Sequence, residues 1–318
     1  MLTKHNGANN LNLRAFCIVT LSLLLTACAA GPERQSDQGR TATISTEQQV
    51  QPSSPDIRAN QFILVEPLMP SPQRQLEIAQ ITQLLQEQDL NNEQRAVLLY
   101  RRGALYDALG MTTLARVDFN QLLEYRPGMA DAYNYIGIHA TQGGDYESAF
   151  EAFDSVIELD PDHPYVLLNR GIAAYYAGQY ELAQVDFADH HYQGQGDAYR
   201  VLWLFFADRA LNEEHAYQLL EQRKAKLDES WETNLVRLFT GEINAQQLMA
   251  STLHDVEDQI VLIERLTEAY FYLGKFEQLN NQNDDAANYF KLALATNLYE
   301  FVEHRYAHLE LDKLRQQG

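Results

Sequence analysis

Few residues of this chain are equipped for chemistry, and their spacing limits what they can do. His304 and His308 stand four apart in "HRYAH", which sets two imidazoles on one helix face as in metal sites, but the glutamate of the zinc-protease motif is absent. His190 and His191 precede "YQGQGD"; a phosphate-binding glycine loop follows a strand, whereas this one follows a helical pattern. Beyond Ser71 the only serines are Ser148, Ser155, Ser230 and Ser251, and none sits in a nucleophile-elbow context. Both cysteines, Cys17 and Cys28, lie near the N-terminus. The carboxylates are scattered on helix faces, where solvation accounts for them. No catalytic residue, metal or cofactor is expected, and an enzyme with a site in the middle of the chain is the distant alternative.

The elements that carry these residues are set by a repeat. A 34-residue step relates Gly103, Gly137 and Gly171; Gly110, Gly144 and Gly178 follow seven behind, Ala115, Ala149 and Ala183 twelve behind, and Phe119, Phe153 and Phe187 sixteen behind. Pro127 and Pro161 end the first two units. This is the tetratricopeptide pattern, a helix-turn-helix that buries its apolar face on copies of itself. The first glycine is expected where helix A approaches helix B, against the alanine twelve residues on, with the phenylalanine between helix B and the next unit. The second glycine ends helix A with positive φ. Gly274, Ala286 and Phe290 repeat the offsets, and Asn281 fills the turn position as the next residue after glycine to tolerate the left-handed region. The segment from Gly171 to Gly274 has room for about two degenerate helical pairs, with Gly241 as a stop signal.

The expected fold is therefore all-α, a tetratricopeptide-repeat superhelix with degenerate middle repeats and a C-terminal capping helix. The boundaries are a signal peptide over 1–27, a lipidated cysteine and disordered tether over 28–72, and an N-terminal helix leading to the repeats over 73–95. Three repeats follow over 96–197, degenerate pairs over 198–266, a fourth clear repeat over 267–300 and the capping helix over 301–318. Asn91, with Gln94 three residues on, is a capping-box start for the solenoid.

At the front, Lys4 and Arg14 precede the apolar run "AFCIVTLSLLL", which stops at "LTAC". The run is too short to span a bilayer and has signal-peptide flanks. Leu25 to Cys28 resembles the lipobox of bacterial lipoproteins, which implies that Cys28 is acylated, and Ala29 in place of Asp implies sorting to the outer membrane. Burying acyl chains is worth about 0.8 kcal/mol per CH₂, so several chains on Cys28 would hold the protein at a membrane. Six of the nine prolines fall between Pro32 and Pro72 in a Gln-, Ser- and Thr-rich stretch. A flexible coil of that length spans on the order of 35 Å. The net charge is −20, and losing Lys4 and Arg14 with the signal peptide moves it to about −22. Such a surface argues against nucleic acid and suits basic partners.

Recognition is the remaining class. In tetratricopeptide arrays helix A lines the inner wall, at positions that fall here on Val97, Tyr100, Ala104 and Asp107, on Asp131, Asn134, Ile138 and Thr141, and on Tyr165, Leu168, Ile172 and Tyr175. This wall is aromatic and aliphatic and lacks the Lys or Arg of arrays that grip a C-terminal carboxylate. It is expected to bind an extended or helical protein segment. One further spacing carries an interaction. Arg102 and Arg170 precede the first glycine in repeats one and three, and Asp118 and Asp186 precede the phenylalanine in those same repeats; the second repeat has Ile136 and Ala152. Charge and counter-charge come and go together, which predicts the pairs Arg102–Asp118 and Arg170–Asp186.

The lipobox together with "LLYRRGALYDALG", "YNYIGIHATQGGDYESAFEAFDSVIELDP", "LNRGIAAYYAG" and "FVEHRYAHLEL" resembles the new lipoprotein I (NlpI) family over about residues 62 to 312. The resemblance implies a homodimeric, palmitate-carrying outer-membrane adaptor facing the periplasm. Its implied partners are a tail-specific protease, a murein endopeptidase and other peptidoglycan hydrolases, whose levels it would regulate in cell-wall growth and division. A lipoprotein scaffold for pilus assembly (a pilotin) or for outer-membrane protein assembly shares lipobox and repeats and is the alternative. If the anchor and the array are separate modules, Cys28→Ala leaves a soluble protein with unchanged helicity and partner binding, as circular dichroism and an in vitro binding assay will report.

Overall fold

The computed structural model describes residues 62–87 and 89–317. Cys28 and the stretch expected as signal peptide and tether, up to residue 61, lie outside the described residues. Among the described residues there are fourteen helices and no strand, and no helix is long and apolar enough to cross a membrane. After α1 (Pro72–Leu84) come three helix pairs, α2 (Asn92–Ala108) with α3 (Thr112–Tyr125), α4 (Ala130–Gln142) with α5 (Tyr146–Leu159), and α6 (Val166–Tyr176) with α7 (Tyr180–Tyr192). The degenerate stretch forms α8 (Ala198–Leu211), α9 (Glu213–Lys224), α10 (Trp231–Thr240) and the short α11 (Ala245–Ser251). A fourth pair, α12 (Gln259–Leu279) with α13 (Asn283–Leu294), precedes α14 (Val302–Gln317).

Local sequence accounts for the starts and stops. Ser71 caps α1, whose first position is proline, and Asn91 and Gln94 form the reciprocal capping box of α2. Gly110, Gly144 and Gly178 leave helix A at φ of 72°, 74° and 77°, and Asn281 stands at 60° in the equivalent place. The first glycine of each repeat is in closer contact with its phenylalanine than the sequence predicts. A Cβ at Gly103, Gly137, Gly171 or Gly274 would come within 2.9, 2.6, 2.7 and 2.5 Å of the rings of Phe119, Phe153, Phe187 and Phe290. The phenylalanine therefore fills its own unit's notch and also meets the next unit as expected: Phe119 stacks on Tyr135 with ring centroids 4.6 Å apart, and Phe187 lies 5.7 Å from Trp203. A planar ring fills more of the gap between helices than a methyl group does, and only a residue without Cβ lets that ring lie against the backbone. The alanine twelve residues on is fully buried in all four repeats.

Two boundaries differ from the sequence reading. Residues 62–71 do not continue a free tether: Tyr270 Oη donates to Ile63 O at 2.6 Å and accepts from Ile63 N, Leu68 N donates to Thr296 O, and Phe62 meets Tyr289 edge-on. Phe62, Ile63 and Val65 are apolar side chains that find cover on α12 and α13. Helix α12 begins at Gln259 and runs 21 residues, so the boundary at 266 falls inside it. The final helix packs on α12 and α13 of the last repeat, as a capping helix does, and in addition reaches α4. In the degenerate middle Phe205 stands one 34-residue step after Gly171, on a helix buried on every side, Val201 to Ala207 all being at most 2% exposed.

The paired charges bind the repeats internally. Arg102 donates from Nε and Nη2 to the two Asp118 oxygens, both at 2.7 Å, and its Nη1 reaches Thr82 on α1 at 3.1 Å. Arg170 holds Asp186 at 2.9 and 2.8 Å and reaches Asp154 of the preceding repeat at 2.8 Å. Each arginine thus links helix A to its own helix B and to the helix before. Breaking one side of a buried pair costs about 3 to 5 kcal/mol, while replacing both sides with apolar groups is close to neutral. Asp118→Ala is expected to lower the unfolding free energy by about that amount. Arg102→Ile with Asp118→Ala, which copies the second repeat, is expected to recover most of it in a denaturant melt.

Candidate functional site

The inner wall is built by helix A of each pair, and α14 enters it. Arg305 donates from Nη1 and Nη2 to the two oxygens of Asp107 at 2.9 and 2.6 Å, and His139 Nε2 approaches the same carboxylate at 2.7 Å. Burial works against the charge on Asp107, but Arg305 and His139 outweigh it and hold the carboxyl at about 2. Farther along α14, Glu310 accepts from Lys275 Nζ at 2.6 Å, Tyr176 Oη at 2.9 Å and Gln278 Nε2 at 3.1 Å. The wall therefore does contain an arginine, contrary to the sequence reading, supplied from residue 305 and fully engaged by Asp107.

This arrangement divides the twelve wall positions. Tyr100, Asp131, Asn134, Ile138, Tyr165 and Leu168 line one cavity of about 110 Å³, together with Tyr135, His163, Asn169, Glu300, Val302, Arg305 and Tyr306. Val97 is exposed and Ala104 half-buried, and neither lines that cavity. Asp107 is engaged by Arg305. Thr141 is fully buried and bonds the Gly137 carbonyl, Ile172 is fully buried, and Tyr175 accepts from Lys275 at 3.2 Å. The accessible part of the wall thus lies on α2, α4 and α6, beside the start of α14.

Several lining residues escaped the sequence. Asn169 Nδ2 donates to Asn134 Oδ1 at 2.9 Å, and His163 Nε2 meets Asp131 at 3.3 Å. A signal for the second contact was present, because Asp107–His139 and Asp131–His163 share a separation of 32 residues. Glu300, Val302, Arg305 and Tyr306 had no such signal. The histidines that invited a metal are otherwise engaged: His304 Nε2 bonds the Leu294 carbonyl at 3.1 Å and exposed His308 faces Asp312. Among the described residues no three His, Cys, Asp or Glu side chains are grouped to hold a metal ion. His190 is buried at the end of α7, where burial and Arg200 push it down to about 4.

A tetratricopeptide-repeat family model matches residues 100–164, the stretch of the first two glycine notches. The fold is a tetratricopeptide-repeat solenoid. Solved structures similar to it include a tetratricopeptide repeat protein from Parabacteroides merdae ATCC 43184, at 17% identity and TM-score 0.47, covering 76% of this chain and 78% of that one. Pseudomonas aeruginosa pilF aligns at 16% identity and TM-score 0.43, over 71% of this chain and 99% of that one. A chain of the Naa15/Naa10 complex with HypK-THB aligns at 15% identity and TM-score 0.37, over 77% of this chain and 36% of that one.

Two buried carboxylates, Glu268 on α12 and Glu303 on α14, act on one another. Trp231 Nε1 donates to Glu268 at 2.8 Å and Tyr272 Oη to Glu303 at 3.1 Å. Burial and the Glu303 charge push Glu268 up to about 8, and burial raises Glu303 as well. A carboxyl with a raised folded-state value holds a proton that the unfolded chain has lost, so its stabilising contribution is full below the ordinary carboxylate value and disappears as pH rises through about 8. Glu268→Gln keeps an acceptor for Trp231 without the titration. The variant is expected to match the wild type near pH 4.5 and to exceed it at pH 9 by on the order of 2 kcal/mol, read as melting temperature against pH.

Proposed function

We propose that this solenoid is an adaptor that holds a segment of a partner protein on its inner wall. The observation that carries the reading is the cavity between α2, α4, α6 and the start of α14, where tyrosine rings, aliphatic side chains and side-chain amides converge. Helical repeat solenoids present extended concave surfaces, and aromatic side chains dominate the binding energy of such contacts. The finer reading follows the resemblance set out above: a protein lipidated at Cys28, held at the outer membrane, dimeric, and gathering a tail-specific protease with peptidoglycan hydrolases so that the hydrolases are degraded under control. An acidic chain with net charge −20 is a poor ligand for nucleic acid. Tyr165 and Leu168 are half-buried on the cavity wall, and removing both should weaken a bound segment about tenfold or more without disturbing the helices.

The test is a pull-down from solubilised envelope with the wild type and with Tyr165→Ala/Leu168→Ala, checked for equal helicity by circular dichroism. The expected result is a tail-specific protease and murein hydrolases on the wild type and their loss on the variant. Recovery of secretin or barrel-assembly proteins in their place assigns the solenoid to the pilus or outer-membrane assembly reading. Equal recovery on both proteins moves the binding surface away from this cavity.

A further inference from the structure

We infer that the cavity on the inner wall is a pocket for a lysine or arginine side chain of the bound segment, an inference that rests on the inner wall being the binding surface. Tyr100 and Tyr135 cross at 66° with ring centroids 6.4 Å apart, and Tyr165 stands across the same cavity. Aromatic faces attract cations, more strongly where water is excluded. A carboxylate completes the site. Asp131 lines the cavity with its side chain 55% exposed, and its contact with His163 uses Oδ1 and leaves Oδ2.

Asp131 keeps one carboxylate oxygen for a partner. Its Oδ1 meets His163 Nε2 at 3.3 Å, while His163 Nδ1 accepts the Tyr165 backbone N–H at 3.3 Å. Arg305 has both terminal nitrogens on Asp107. Glu300, a second carboxylate at the cavity, already holds Arg74 at 2.8 Å. Asp131 Oδ2 thus faces the cavity with no lysine or arginine on it, in a wall of tyrosine rings. The main chain of the same segment has partners as well. Because Asn169 donates through Nδ2 to Asn134 Oδ1, Asn134 Nδ2 remains as a donor and Asn169 Oδ1 as an acceptor, the complement of one peptide unit.

A displayed library of random heptapeptides, selected in parallel on the wild type, on Asp131→Asn and on Glu151→Gln, tests this. Asparagine keeps an acceptor for His163 and removes only the charge, while Glu151 is exposed on α5 outside the cavity and reports the effect of overall acidity. The expected result is one position enriched in Lys or Arg on the wild type and on Glu151→Gln, with that preference lost on Asp131→Asn. A selected peptide remade with Gln at that position should bind the wild type at least tenfold more weakly. Enrichment without a basic position, or a basic preference that survives Asp131→Asn, overturns the pocket and leaves the inner wall as a binding surface. No enrichment on any of the three proteins overturns both.

Discussion

The contact between a glycine on helix A and a phenylalanine ring sixteen residues later is the constraint on which the rest of the structure depends. It occurs in all four clear repeats, at distances where a methyl group could not be added without moving the ring. Glycine inside a helix costs about 1 kcal/mol relative to alanine, and the close approach of ring to backbone offsets that cost by filling the space between the helices. Once the two helices of a unit are locked at this distance, the next unit can stack only in one way. The rows of side chains on successive A helices then fall into register as a wall.

What lines that wall is decided by the last helix. α14 carries Arg305 into contact with Asp107 of the first repeat and Glu310 into contact with Lys275 of the fourth. Both pairs are nearly dry, with side-chain exposures of 5% or less. Such pairs add little over apolar packing but are costly to break on one side. They therefore act as address labels, since a misplaced α14 would leave four charges buried without partners. The raised carboxyls of Glu303, in its first turn, and of Glu268, on α12, act in the opposite sense at high pH, so the seating of α14 balances ion pairs against buried acids.

The same helix leaves the wall open only beside its own start. There the surface is tyrosine-rich and acidic, with side-chain amides between the rings, and the two nearby arginines are already held by carboxylates. On the proposed reading, such a wall would meet a partner through ring faces, one charge and main-chain hydrogen bonds. A carboxylate-gripping array relies instead on free Lys or Arg.

The 34-residue period determined the helix pairs, the turn at Asn281 and the capping box at Asn91, because each depends on residues within one turn or one repeat. The pairing of Arg102 with Asp118 and of Arg170 with Asp186 was also legible, since the two members lie sixteen residues apart on adjacent helices and vary together. The docking of Phe62, Ile63 and Val65 on α12 and α13 was not, because an apolar run this short carries no period and its cover comes from about two hundred residues away. Nor was the fate of the wall positions. Asp107 is taken by Arg305 of α14 and Tyr175 by Lys275 of α12, and the sequence of α14 shows an amphipathic helix but not where it lies. Periodicity records contacts that recur with the repeat. Arg305 meets Asp107 across 198 residues once only, and a contact made once leaves no pattern, so only the tertiary structure decides it.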